Sequence, residues 1–80
     1  KKNALKNYIF DNIPKYICDY EVKNVSYQDG IKLRINNNYW VLFRFSGTEP
    51  LLRLYCEAPS EDSLKDTLSW SKLFIKNIIS

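Results

Sequence analysis

The run Arg44-Phe45-Ser46-Gly47-Thr48-Glu49-Pro50 brings a guanidinium, two hydroxyls and a glycine into one short turn between apolar segments. A phosphate dianion needs several donors converging within about 3 Å, and this turn can supply them. Arg44 offers a fork of N–H donors, Ser46 and Thr48 offer hydroxyls, and the backbone N–H groups around Gly47 can turn inward together because no Cβ obstructs them. Arg53, three residues beyond Pro50, can reach the same anion. Each charge-assisted bond contributes about 1.5–3 kcal/mol, offset in part by ligand desolvation and loop ordering. These groups bind; they include no catalytic residue. The residues alone also admit a purely structural turn, with Glu49 pairing Arg44 or Arg53 and Pro50 presetting one backbone angle.

Two strands must mount that turn. Residues 39–45 are crowded with aromatic and branched side chains, and residues 51–58 alternate, with Leu52, Leu54, Cys56 and Ala58 on one face. Leu51, Arg53, Tyr55 and Glu57 share the other face, so Arg53 projects from a half-polar surface. Strand 39–45 carries Trp40 and Leu42 on one side and Tyr39, Val41, Phe43 and Phe45 on the other, a pattern for a central strand covered at least in part on both sides. Upstream, Ile31, Leu33 and Ile35 alternate with Lys32 and Arg34, and Asn36-Asn37-Asn38 predicts the hairpin turn into Tyr39. Asp29-Gly30 marks an earlier turn. Tyr16, Cys18, Tyr20 and Val22 alternate and suggest a first strand, preceded by a helix from Asn3 towards Pro14 with Leu5, Tyr8, Ile9 and Ile13 on one face. A final helix follows Pro59, with Ser60 as N-cap and Glu61 and Asp62 in its first turn. Its apolar stripe is Leu64, Leu68, Phe74, Ile75, Ile78 and Ile79 with Trp70 at the edge, and Lys65, Lys72 and Lys76 lie on the opposite flank. The expected fold is a single α+β domain over residues 1–80, a mainly antiparallel sheet of about four strands with flanking N- and C-terminal helices.

Composition narrows the function classes. Eighty residues, 45% of them hydrophobic with only 2 Gly and 3 Pro, suffice for one core and not for two domains. There is no histidine, so a histidine general base is excluded and no metal site is assigned; Cys18 and Cys56 are too far apart in sequence for a close metal-binding pair, and Cys56 reads as an interior thiol. The turn lacks the Walker A pattern and the Gly-x-Gly-x-x-Gly dinucleotide pattern. Neither an apolar run of membrane-spanning length nor a signal-peptide pattern is present, so no membrane partner is expected. The chain opens on Lys1-Lys2-Asn3, which suggests a fragment of something larger. Net charge of +3 favours an anionic partner only weakly. An alternative is a small nucleic-acid-binding module that stacks bases on Tyr39, Phe43, Phe45 and Tyr55, although no second RRM-like aromatic motif accompanies them and positive residues are not concentrated on those strands.

From Asp29-Gly30 through Trp40-Val-Leu-Phe-Arg-Phe-Ser-Gly-Thr-Glu-Pro-Leu-Leu-Arg-Leu-Tyr-Cys-Glu-Ala58 and into the acidic start of the last helix, the sequence resembles the C-terminal domain of the α-D-phosphohexomutases, the family of phosphoglucomutases and phosphomannomutases. The resemblance implies that Arg44, Ser46, Gly47 and Thr48 contact the phosphate of a hexose phosphate, that Arg53 contributes as a second arginine, and that Glu49 and Pro50 shape the loop. It further implies a cytoplasmic four-domain enzyme in which this domain closes the cleft over a hexose phosphate or its bisphosphate intermediate. Mg2+ and a phosphoserine would then belong to the other three domains, this domain would need no cofactor of its own, and the 80 residues alone would be inactive. Tyr55 resembles the hexose-phosphate mutases more than the bacterial phosphoglucosamine mutases; a phosphoglucosamine mutase domain stays open as an alternative.

Overall fold

The computed structural model describes residues 8–28, 30–45 and 52–79. Residues 8–11 are helical (α1), and Asn12 closes them: its backbone N–H donates to the Ile9 carbonyl at 3.2 Å and its side-chain amide to the Tyr8 carbonyl at 2.9 Å. Leu5, from the expected apolar face of this helix, lies outside the described residues. The expected single strand through Tyr16, Cys18, Tyr20 and Val22 is instead a small antiparallel hairpin, β1 (Tyr16–Ile17) and β2 (Tyr20–Glu21). Cys18 adopts a positive φ of 54°, so the chain reverses where the alternation would have continued. The reversal buries Ile17 and leaves Tyr16 and Tyr20 exposed.

A four-stranded antiparallel sheet follows in chain order: β3 (Asn24–Ser26), β4 (Ile31–Asn36), β5 (Tyr39–Phe45) and β6 (Leu52–Glu57). This is the expected α+β architecture, with β3 as the strand the sequence pattern did not single out. Strands β4 and β5 are joined at Asn37-Asn38, where the Asn36 Oδ1 accepts the Asn38 N–H at 2.8 Å. Side-chain bonding, rather than a left-handed backbone, makes asparagine useful there, since neither Asn37 nor Asn38 has a positive φ. Gly30, at the foot of β4, does have one, at 136°. A Cβ at Gly30 would collide with the Phe43 carbonyl oxygen and crowd Arg44 Cα, so the glycine lets the two strands approach at the level of Arg44. Its neighbour Asp29 lies outside the described residues.

One sheet face carries Ile31, Leu33, Tyr39, Val41 and Phe43, which form the buried core with Ile9 and Ile17. Helix α2 (Glu61–Ile79) covers it. Ser60 caps that helix as expected, its Oγ accepting the Ser63 N–H at 3.1 Å. Phe74 meets Phe43 at a ring-centroid distance of 5.7 Å and stacks on Trp70 at 5.5 Å. The helix is seated most deeply at Thr67 and Ser71, both fully buried, whereas Leu64 and Leu68 of the expected stripe are half-buried. Small polar residues let the backbone approach the sheet, and their hydroxyls are satisfied: Tyr39 Oη lies 2.6 Å from Thr67 Oγ1, and Ser71 Oγ donates to the Thr67 carbonyl at 2.8 Å. Lys65, Lys72 and Lys76 are exposed, as expected. The Ile78 and Ile79 side chains lie outside the described set.

Candidate phosphate-binding site

Strands β5 and β6 pair in register up to the foot of the loop that joins them, with Phe45 opposite Leu52 as the last pair and Arg44 opposite Arg53 as the next. Directly opposed residues point to the same face, so this step of the ladder separates two roles. Phe45 and Leu52 turn inward and pack against the core. Arg44 and Arg53 turn outward and are exposed. The remaining predicted contacts, Ser46, Gly47 and Thr48, and the loop-shaping Glu49 and Pro50, lie outside the described residues, as does Leu51.

Like charges opposed across a ladder are unfavourable by a few tenths of a kcal/mol to about 1 kcal/mol. Among the described residues no carboxylate within ion-pair distance offsets them; the ion pair found there joins Lys23 to Glu21 in the hairpin region, at 2.8 Å. Glu57, the acid on the same face of β6, instead accepts the indole N–H of Trp40 at 2.9 Å, and Lys32 Nζ lies 4.4 Å from the centroid of that ring. Tyr55 stands two residues beyond Arg53 on the same face. The neighbouring Arg53 guanidinium, and more weakly that of Arg44, holds its phenol below the ordinary tyrosine range.

The outer face continues across the sheet through Leu42 and Trp40 to Lys32 and Arg34 on β4 and Asn24 and Ser26 on β3. All of the chain's arginines lie on it. A shallow depression of about 220 Å³ is lined by Asn24, Ser26, Lys32 and Arg34, away from the loop mouth. Aromatic residues are divided between the two faces: Tyr39 and Phe43 are buried in the core, Phe45 packs against it, and Tyr55 is exposed on the outer face. The base-stacking platform considered from sequence is therefore not assembled, because strand alternation sends its members to opposite sides. Among the described residues no group of three or more Cys, Asp or Glu converges. None of the described helices is long and apolar enough to cross a membrane.

The family model for the C-terminal domain of phosphoglucomutase/phosphomannomutase matches residues 4–69. The chain belongs to that family. This mutase C-terminal domain is 33% identical to a probable phosphoglucosamine mutase of Pyrococcus horikoshii over 98% of its length and 16% of the relative's. It is 40% identical to a probable phosphoglucosamine mutase of Thermococcus kodakarensis over 65% of its length and 11% of the relative's. A phosphopentomutase of the same organism is 44% identical over 51% of the domain and 9% of the relative. The domain thus spans about one sixth or less of the length of these curated relatives.

Proposed function

We propose that this domain grips the phosphate of a hexose phosphate through Arg44, Ser46, Gly47, Thr48 and Arg53 and helps close the active site of a larger, four-domain phosphohexomutase. The observation that carries the reading is the Arg44–Arg53 pair, two exposed guanidiniums opposed on one face at the mouth of the loop. A sheet that sets two cations against each other gains from an anion between them, and a phosphate accepts from both forks at once. The domain supplies affinity and closure, while the transferable phosphoserine, Mg2+ and sugar recognition belong to the remaining domains. Closing over the substrate removes water from the site; opening lets the bisphosphorylated intermediate turn between half-reactions.

Glucosamine phosphate is the substrate this reading favours, since the relatives cited over most of the domain carry the name phosphoglucosamine mutase. Similarity to a phosphopentomutase fits the same division of labour, because a phosphate grip does not read the sugar ring. In the complete mutase, Arg44→Ala lowers kcat/KM for the sugar phosphate about tenfold or more, the loss of one charge-assisted contact. An unchanged kcat/KM contradicts the assignment.

A further inference from the structure

Tyr55 is a phenol with no structural duty in the core. It is 40% exposed, lies on the outer face opposite Leu42, and comes two residues after Arg53, so its ring stands beside Arg53 along β6 and diagonal to Arg44 across the ladder. Both guanidiniums draw its phenol below the ordinary tyrosine range, Arg53 the more strongly. Guanidinium carries donors only, so neither arginine can accept the phenol O–H, which remains a donor for a third group.

We propose that Tyr55 is a further phosphate-contacting residue, its exposed O–H donating to the anion that Arg53 and Arg44, on the same face, attract. This rests on the phosphate-grip reading of the loop mouth and adds to it a neutral donor beside the two cations. The positive charge beside it also polarises the phenol, which sharpens its O–H as a donor in the state without ligand. The role is chemical rather than structural: removing the hydroxyl leaves the ring, its exposure and the ladder unchanged.

The test is a titration of the 80-residue chain with inorganic phosphate and with glucosamine 6-phosphate, comparing the wild type with Tyr55→Phe and Arg53→Gln. Tyr55→Phe is expected to weaken both ligands about three- to tenfold with an unchanged unfolding midpoint, and the wild-type Tyr55 ring Cζ resonance is expected to move along the same saturation curve as the arginine signals. Equal affinity in the wild type and Tyr55→Phe, with Arg53→Gln impaired, overturns the role of Tyr55 alone. Tighter binding by Tyr55→Phe also overturns it, since the phenol would then be competing with the anion. A wild type that binds neither ligand removes the phosphate-grip reading itself.

Discussion

Arg44 and Arg53 face each other across the β5–β6 ladder, one step inside the Phe45–Leu52 pair that closes it. The inner pair fixes the loop base to the core, and the arginine pair presents its charge to solvent at the same height. On the proposed reading, stability and binding therefore pull in opposite directions at one cross-strand position.

Arg53→Gln is the simplest expression of that conflict. Removing one of two opposed charges is expected to leave the domain as stable or up to about 1 kcal/mol more stable. Phosphate affinity is expected to fall about tenfold or more, since a forked cationic donor is lost. Denaturant unfolding and phosphate titration of the same sample check the two halves together.

Gly30→Ala tests the support behind Arg44. The alanine must hold a φ of 136° and push its Cβ into the Phe43 carbonyl. The cost expected is about 2 kcal/mol or more, read as a lower unfolding midpoint, with weaker phosphate binding because Arg44 shifts with the displaced strand.

The Tyr39–Thr67 hydroxyl pair ties α2 to the sheet at 2.6 Å in a buried setting. Thr67→Val keeps the shape and strands the phenol, for an expected loss of about 1–3 kcal/mol. Combining it with Tyr39→Phe is expected to recover much of that loss, because both polar partners are then gone. A double-mutant cycle measures the coupling.

Burial pushes the Cys56 thiol up, and Tyr39 is raised as well, chiefly by burial. Each is favoured in its neutral form by folding, so the stability linked to it is complete below the ordinary ionisation range. It is lost as pH rises through the folded value. Unfolding free energy is thus expected to decline above about pH 8.5, where unfolded thiols begin to ionise, and to decline further towards the tyrosine range. Cys56→Ala is expected to flatten the first part of that profile, measured by unfolding between pH 7 and 11.

Much of the fold was legible because strand and helix periods were clean where one face is buried. Ile31, Leu33, Val41 and Phe43 declared the core face, and Ser60 the start of α2. The hairpin at Cys18 was hidden because apolar alternation carries no sign of a reversal, and its left-handed residue is neither glycine nor asparagine. Thr67 and Ser71 escaped a hydrophobic search because they are small hydroxylated residues whose burial depends on partners distant in sequence or one helical turn away. At the site, the outward direction of Arg53 followed from the alternation of β6. Its position opposite Arg44, and that of Tyr55 diagonal to Arg44, required the register. Gly30 was read as a turn residue; its clearance for Phe43 needed the neighbouring strand.

We propose the Arg44–Arg53 pair and the loop it flanks as a phosphate grip. Its most direct test is a titration of the 15N-labelled chain with glucosamine 6-phosphate, followed through backbone N–H signals of residues 44–53 and the arginine side-chain signals. Saturable shifts concentrated in that segment, and lost in Arg44→Ala, are expected. Shifts absent from residues 44–53, or confined to the depression around Asn24, Ser26, Lys32 and Arg34, would contradict it.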